Sequence, residues 1–273
     1  MKPELKQRVI TAVLLLPVVI WCIFFAPTAA TFAAFAGAIV LVAAWEWTGM
    51  LGWQKTAVRA AYVLALAAAL LVLRFPALAE FQPVLYMLSV AFWLLALRLV
   101  MGYPANAALW ARGLLLAPLG LLLLLPAWLG LVTLHAASPW WLMYLFLLVW
   151  GADTGAYFAG RAFGRHKLAP SVSPGKTLEG FAGGLLLTMT LAVAVAVWRD
   201  LAGVRLAAFL GLSLLTVLAS VLGDLFESMV KRHAGIKDSG TIFPGHGGAL
   251  DRIDSLTAAA PVFALGWWLA GGF

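Results

Sequence analysis

The densest group of residues able to do chemistry lies between positions 223 and 255, where acids, bases and glycines cluster. Asp224 and Glu227 are three residues apart, and Asp251 and Asp254 repeat that spacing. Residues three apart share one face of a helix, so each pair would present its carboxylates together. Four carboxylates held close repel one another unless a cation neutralises them, and Mg²⁺ suits such ligands together with substrate phosphates. The four acids therefore form a predicted Mg²⁺ site, with the number of cations, one or two, left open.

These acids also have a structural interpretation. Asp254 or Ser255 would cap a final helix that begins there. Glu227 and Lys231 would form an exposed i,i+4 ion pair, which contributes only ~0.3–0.5 kcal/mol. Acids at the edge of a membrane span are costly, however, and a functional role is the first expectation for them. Taken as a set, the acids favour a functional site.

A glycine-rich turn precedes the second pair of acids. Gly247 and Gly248 allow the backbone to approach a ligand or to adopt positive φ, and backbone N–H groups ahead of a helix can hold phosphate oxygens. The turn is not a dinucleotide fingerprint, because the third glycine of GxGxxG would fall on Leu250. His246, within the turn, is a candidate hydrogen-bond donor to phosphate or proton carrier.

A second polar segment contains the triplet Gly175-Lys176-Thr177, with Ser173 two residues ahead of it. A Walker A motif does not fit, because the first glycine of GxxxxGK[ST] would fall on Pro170, and we expect no strand before the triplet. Lysine and hydroxyl groups ahead of a helix still suit a polyphosphate. We therefore predict that Ser173, Lys176 and Thr177 bind an anion.

Asp153 interrupts an apolar segment and has two interpretations. It joins the metal or substrate site if it faces a polar cavity. It is a structural acceptor if it is buried and paired with Arg161 or another neighbour.

The elements that position these residues must be membrane helices. Of the 273 residues, 64% are hydrophobic and 11% are charged, against ~45–50% and ~25% in a soluble domain. A spanning helix needs ~20 apolar residues. The fold class is therefore an all-α polytopic integral membrane protein with about nine transmembrane helices. The predicted spans are 9–26, 28–46, 58–74, 83–101, 113–133, 140–160, 180–198, 204–222 and 255–272.

The distribution of Lys and Arg orients these spans. With a cytoplasmic N-terminus, fifteen of the eighteen basic residues fall on the cytoplasmic side, as the positive-inside rule requires. This rule accounts for the net charge of +7, so we expect no nucleic-acid partner. Residues 1–139 form a predicted N-terminal region for anchoring, lipid access or dimer contacts. Residues 140–273 form a predicted catalytic region with cytoplasmic loops at 161–179 and 223–254.

The motifs resemble those of the phosphatidate cytidylyltransferase (CDP-diacylglycerol synthase) family. Two upstream segments carry part of the resemblance, Asp153-Thr154-Gly155-Ala156-Tyr157 and Ser173-Pro174-Gly175-Lys176-Thr177. The longer signature consists of Ser228, Lys231, Arg232, Lys237, Asp238, Gly240, Phe243, Pro244, Gly245, His246, Gly247, Gly248, Leu250, Asp251, Arg252, Ile253 and Asp254.

This resemblance implies an Mg²⁺-dependent membrane enzyme of phospholipid biosynthesis that converts CTP and phosphatidic acid into CDP-diacylglycerol and pyrophosphate. It also implies a homodimer in the bacterial inner (plasma) membrane, with an active site that faces the cytoplasm. By matched position, Asp224 and Asp251 correspond to metal-binding acids. Ser173, Lys176 and Thr177 fall in the loop near the nucleotide.

The chemistry implied in this way needs no Ser or Cys nucleophile, because phosphatidate brings its own phosphate oxygen. Positioning and charge neutralisation suffice, and Lys231 and Arg232 suit contacts with an anionic headgroup. The candidate catalytic residues are Asp224, Asp251, Lys231, Arg232 and His246. The further substrate-binding candidates are Asp153, Lys167, Lys237, Gly247, Gly248 and Arg252.

Two other functions remain as alternatives. One is a related CTP-dependent enzyme acting on another membrane lipid, which would yield a different product. The other is an ion or solute transporter with Asp153, Asp224 and Asp251 along its pathway, although the two halves of the chain show no inverted repeat.

Overall fold

Helices make up most of the chain in a computed structural model, which describes residues 16–26, 28–111, 113–242 and 247–273. Residues 16–24 are helical and are called α1. The remaining elements are α2 (Ala29–Met50), α3 (Thr56–Val72), a 3-10 segment (Pro76–Phe81), α4 (Gln82–Gly102), α5 (Ala107–Trp110), α6 (Gly113–Ala137), α7 (Pro139–Phe163), β1 (Lys167–Ala169), β2 (Ser173–Thr177), α8 (Leu178–Trp198), α9 (Gly203–His233) and α10 (Leu250–Leu269).

The prediction of a helical membrane protein is confirmed. Among the residues that the structure describes, six helical segments are long and apolar enough to cross a membrane. They are Ala29–Met50, Pro76–Gly102, Leu115–Ala137, Pro139–Phe163, Leu178–Trp198 and Gly203–His233. The α3 helix is apolar but has 17 residues, and α10 carries Asp251, Arg252 and Asp254 near its start. Helices therefore occupy the described parts of the predicted positions, while residues 9–15 of the first predicted span lie outside the described residues. The count of nine spans stays a prediction.

Local capping explains where several helices begin. Thr28 starts α2 by accepting a hydrogen bond from the backbone N–H of Thr31 at 3.1 Å. Ser138 does the same for α7 through Trp140 at 3.2 Å, with a proline at the first helical position. Such hydroxyls satisfy donors that the first turn leaves unpaired. The α7 helix then runs through Asp153 without a break.

Small residues let α7 and α8 pack closely. A Cβ atom added at Gly155 of α7 would lie 2.7 Å from the carbonyl oxygen of Gly183 in α8, so the two backbones approach as they do in small-residue membrane interfaces. The α10 helix packs against α9, α6 and α4. These contacts hold the end of α7, the end of α9 and the start of α10 near one another.

We expect Gly155→Ala to destabilise the protein by about 1–3 kcal/mol, because overpacking a close interface forces backbone shifts. Gly211→Ala is the matched control, since a Cβ atom at Gly211 meets no described atom within 4 Å. Thermal unfolding in detergent should show a lower midpoint for the first variant and an unchanged or higher midpoint for the second. Equal midpoints would contradict the packing argument.

The two predicted cytoplasmic loops are more structured than the sequence indicated. Within 161–179, β1 and β2 form an antiparallel hairpin in which Lys167 pairs with Thr177. The expectation of no strand before the Gly-Lys-Thr triplet was therefore wrong. The Walker A motif still fails, because the triplet lies inside β2 rather than in a loop between strand and helix. Within 223–254, α9 continues to His233 and α10 begins at Leu250.

Candidate active site

The extension of α9 beyond its apolar part carries one half of the site. Asp224, Glu227 and Lys231 follow one another at spacings of three and four residues, so they lie along one side of the helix. The spacing prediction for Asp224 and Glu227 is thus confirmed. Because α9 is held by α10 and α4, this polar face is fixed against the rest of the fold.

Lys231 bridges two buried carboxylates. Its Nζ lies 2.7 Å from Glu227 Oε2 and 2.6 Å from Asp251 Oδ1. The Lys231 side chain is 12% exposed, and the two acids are each 5% exposed. The pair of Glu227 and Lys231 is therefore not the exposed surface ion pair considered from the sequence. A buried charge that loses its partner is strongly destabilising, so these three groups must be treated as one unit.

The other oxygen of Asp251 organises the turn before α10. Asp251 Oδ2 accepts hydrogen bonds from the backbone N–H of Gly248 at 2.7 Å and from that of Ser239 at 2.9 Å. Burial by itself raises the pKa of the Asp251 carboxyl, but Lys231 and the N–H of Gly248 outweigh it and hold the pKa below its ordinary value. Gly247 has φ of +79°, as the sequence indicated. Asp251 is therefore an ionised anchor for this turn.

A second ion pair joins the hairpin to α9. Lys176 Nζ lies 2.6 Å from Asp224 Oδ2, and Ser228 Oγ donates to Asp224 Oδ1 at 3.2 Å. The side chains of Lys176 and Asp224 are 27% and 25% exposed. Both side chains are therefore partly exposed and accessible to a ligand.

A cavity of about 240 Å³ opens beside this ion pair. Its polar lining includes Asp153, Lys176 and Thr177, and its apolar lining includes Phe181 and Val221. Asp153 is exposed in the described part of the chain, and Arg161 donates to the Tyr157 hydroxyl at 3.1 Å. Of its two interpretations, the structure therefore favours a cavity-facing Asp153. A space with a cationic and hydroxyl edge and an apolar wall suits an amphiphilic or phosphorylated ligand.

The predicted metal ligands are gathered only in part. Asp224 lies within electrostatic range of Asp153 and Asp254, and Glu227 lies within range of Asp254. Over the ranges that the structure describes, no three His, Cys, Asp or Glu side chains are placed to hold one metal ion. Glu227 Oε1 is nevertheless buried without a hydrogen-bond partner among the described residues. This donor set fits a cation that takes most of its ligands from phosphates and water.

The start of α10 corrects the capping alternative. The helix begins at Leu250, so Asp254 and Ser255 lie inside it rather than at its N-cap. Asp251 and Asp254 share a face of this helix, as the spacing predicted. Asp254 Oδ1 accepts a hydrogen bond from the backbone N–H of Ser255 at 2.7 Å.

The other predicted residues have separate positions. Thr177 Oγ1 accepts from the N–H of Gly180 at 3.1 Å and so caps α8, while Ser173 lies at the start of β2. Arg232 donates to the carbonyl oxygen of Val172 at 3.3 Å. The remaining basic candidates, Lys167, Lys237 and Arg252, are exposed. His246 lies outside the described residues.

One residue that sequence reasoning did not place in the site is Glu46 of α2. Its side chain is buried, and it accepts hydrogen bonds from the backbone N–H groups of Ala249 at 3.0 Å and Leu250 at 2.8 Å. A lone acid inside an apolar segment is itself a functional signal, and that signal was present at Glu46. The region before residue 139 therefore does more than anchor the protein.

Comparison with known proteins supplies the chemical context of this site. Residues 6–269 match the model of the Cytidylyltransferase family. A phosphatidate cytidylyltransferase of Pseudomonas aeruginosa is 47% identical over 269 residues, which cover 98% of each chain. One of Haemophilus influenzae is 42% identical over 281 residues, covering 95% of this chain and 97% of the relative. One of Staphylococcus aureus is 48% identical over 122 residues, which cover 45% of this chain and 46% of the relative.

Proposed function

The chain belongs to the cytidylyltransferase family and forms CDP-diacylglycerol from CTP and phosphatidic acid, and we propose that the site between α7, the β1–β2 hairpin, α9 and α10 carries out this reaction. The observation that carries the proposal is the meeting of Lys176 with Asp224 beside the cavity, next to the buried unit of Lys231, Glu227 and Asp251.

The reaction places two demands on such a site. A phosphate oxygen of phosphatidate attacks the α-phosphorus of CTP, a new P–O bond forms, and the bond to the β-phosphate breaks to release pyrophosphate. Both substrates are anionic, so the protein must neutralise their charge and hold them in line. No protein nucleophile takes part in this scheme, which agrees with a site made of carboxylates, lysines and backbone N–H groups.

We assign the nucleotide phosphates to the edge of the cavity that is formed by Gly175, Lys176 and Thr177 of β2. Lys231 is committed to Glu227 and Asp251, so its proposed part is to fix these carboxylates. The exposed Arg232, Lys237 and Arg252 are better suited to the lipid headgroup, since they can reach an anion without breaking a buried ion pair. Lys167, exposed on β1, stays a candidate for either substrate.

We further propose Mg²⁺ as the cofactor, held by Asp224 and Glu227 with Asp254 nearby. When bound, it would neutralise the triphosphate and stabilise the leaving pyrophosphate. The buried, unpartnered Glu227 Oε1 among the described residues supports this assignment. Asp251 is a weaker ligand candidate in this arrangement, because Oδ2 already accepts from Gly248 and Ser239.

The membrane arrangement is part of the same proposal. Nine spans with a cytoplasmic N-terminus would put the hairpin and the start of α10 on the cytoplasmic face of the bacterial inner membrane, where CTP is dissolved and the lipid headgroup is at the interface. The bias of Lys and Arg to that side supports this orientation. A homodimer remains a proposal that rests on the resemblance alone.

The position of the label in the product tests the proposed reaction against a lipid kinase. Purified protein is supplied with phosphatidate, Mg²⁺ and CTP labelled at either the α- or the γ-phosphate. We expect label in the lipid from the α-position alone, with one pyrophosphate released for each lipid formed. Transfer of the γ-label, or transfer to a lipid alcohol in preference to phosphatidate, would instead support the CTP-dependent relative acting on another lipid.

Lys176→Met is expected to reduce kcat/KM for CTP by about 10- to 100-fold, since hydrogen bonds to charged groups contribute about 1.5–3 kcal/mol. Steady-state kinetics with CTP varied at saturating phosphatidate measures the change. Lys55→Met is the control, because Lys55 is exposed at the start of α3 and does not line the described cavity. An unchanged kcat/KM in Lys176→Met would remove Lys176 from the nucleotide site.

A further inference from the structure

Glu46 connects the N-terminal region to the turn that carries Asp251. Its side chain is only 6% exposed and comes from α2, some two hundred positions before its partners in the sequence. Glu46 Oε1 accepts from the N–H of Ala249, and Oε2 accepts from the N–H of Leu250. The first N–H groups of a helix have no partner within it, so Glu46 satisfies donors at the start of α10.

A third hydrogen bond extends this contact to Ser239. Ser239 Oγ lies 3.0 Å from Glu46 Oε2 and 3.0 Å from Asp251 Oδ2. A hydroxyl has one hydrogen to donate, so the two carboxylates share it. The backbone N–H of Ser239 also donates to Asp251 Oδ2. A continuous chain of contacts thus leads from Glu46 through Ser239 to Asp251 and on to Lys231.

Glycines on both sides of the Glu46 carboxylate permit this approach. A Cβ atom at Gly240 would collide with Glu46 Oε1, and one at Gly248 would collide with Glu46 Oε2 and with Ser239 Oγ. A side chain at either position would force the Glu46 carboxylate or the turn to shift, and so would disturb their contact. Residues 239–240 and 248–250 are therefore fitted around the Glu46 carboxylate.

The energetic balance of Glu46 also indicates a specific role. Burying a carboxylate is unfavourable unless hydrogen bonds compensate for the lost water. Three donors from the loop supply that compensation, and charge-assisted hydrogen bonds are stronger than neutral ones. An uncharged residue would serve the packing of α2 at lower cost, so the charge at this position is explained by the loop that it holds.

We propose that Glu46 is a positioning residue for the cytidylyl transfer: it fixes the loop before α10 so that Asp251 is aligned with Lys231. This inference rests on the proposed location of the reaction. Glu46 does not line the described cavity, so its effect passes through Ser239 and Asp251. Its substitution should therefore slow turnover more than it weakens nucleotide binding.

The test uses the whole chain of 273 residues in mixed micelles of detergent and phosphatidate, with CTP and Mg²⁺. Glu46→Gln keeps the size of the side chain but turns an NH₂ group toward at least one N–H donor. We expect kcat to fall roughly 10- to 100-fold, because small displacements of groups near a reacting centre lower the rate by such factors. The KM for CTP should change by less than about three-fold. Glu80→Gln is the control, since Glu80 is exposed on the 3-10 segment.

Ser239→Ala supplies an independent variant that removes only the shared hydroxyl. Ser239→Ala should lower kcat, and the double variant with Glu46→Gln should lose less than the product of the single effects, because both act through one contact chain. If Glu46→Gln does not fold, Ser239→Ala alone decides: a lower kcat at an unchanged thermal midpoint supports the inference, and an unchanged kcat overturns it.

Three results would overturn the positioning role. They are a folded Glu46→Gln with kcat near that of the unsubstituted protein, a change confined to KM, and single effects that multiply independently. Failure of the unsubstituted protein to form CDP-diacylglycerol is a different outcome, because it contradicts the proposed function itself rather than the part played by Glu46.

Discussion

We expect Asp251→Asn to reduce the rate of CDP-diacylglycerol formation by about 10²- to 10³-fold, the size of effect seen when a preorganised electrostatic contact is removed from an active site. Asparagine has nearly the same shape but no charge. Its NH₂ group would face a donor in either orientation of the side chain. That donor is Lys231 Nζ in one orientation and the N–H groups of Gly248 and Ser239 in the other. Both the position of Lys231 and the conformation of the turn before α10 would then change.

The fold should survive this substitution, because α10 is held mainly by its apolar contacts with α9, α6 and α4. Asp200→Asn is the control. Asp200 is exposed between α8 and α9 with φ of 51°, a conformation that asparagine tolerates well. Turnover and thermal midpoint are measured for both variants. Turnover of Asp251→Asn near that of Asp200→Asn, with both proteins folded, would remove Asp251 from the site.

Lys231→Met is expected to destabilise the protein by about 3–5 kcal/mol and to abolish turnover, since it leaves Glu227 and Asp251 buried without their shared cation. Methionine fits the space of the lysine stem, so the loss comes from charge rather than from a cavity. Thermal unfolding in detergent and the elution profile on size exclusion measure the effect. Lys55→Met is again the control for an exposed lysine.

A compensating change separates this explanation from simple loss of packing. Lys231→Met combined with Glu227→Gln carries one fewer uncompensated buried charge. Its thermal midpoint should therefore lie between those of Lys231→Met and the unsubstituted protein, although turnover stays absent. A double variant less stable than Lys231→Met would show that the three groups do not act as the ion-paired unit described.

The helices were largely predictable from the sequence, because long apolar segments report membrane helices independently of their neighbours. Helix α9 shows where this prediction ends. Its apolar part was predicted to stop at 222, yet the helix continues to His233. Hydropathy identifies only the part of the helix that is compatible with lipid. The backbone hydrogen bonds of the helix continue through polar residues that are packed against the rest of the protein.

The hairpin β1–β2 was missed for a related reason. Pro174 and Gly175 favour a turn over a strand, and the strands are only three and five residues long. Their pairing depends on the positions of α7 and α8, which close-packed glycines set. Local propensity contains no information about that distance.

The candidate residues of the site could be selected from the sequence, but their partners could not. Asp224, Lys176 and Asp251 were each identified from residue type and spacing, but the pairing of Lys176 with Asp224 and of Lys231 with Asp251 joins separate elements. Glu46 is the clearest case, because nothing in the apolar sequence around it tells which helix end it will meet. A lone buried acid indicates a role, and only the packing of α2 against α10 identifies that role.

The most direct test of the central claim is the initial rate of CDP-diacylglycerol formation by purified protein with CTP, phosphatidate and Mg²⁺, measured beside folded Asp251→Asn. Product formation that needs both substrates, with pyrophosphate released in equal amount and the variant nearly inactive, is the predicted result. No CDP-diacylglycerol from folded protein, or equal rates for the two proteins, would contradict the assignment of this reaction to this site.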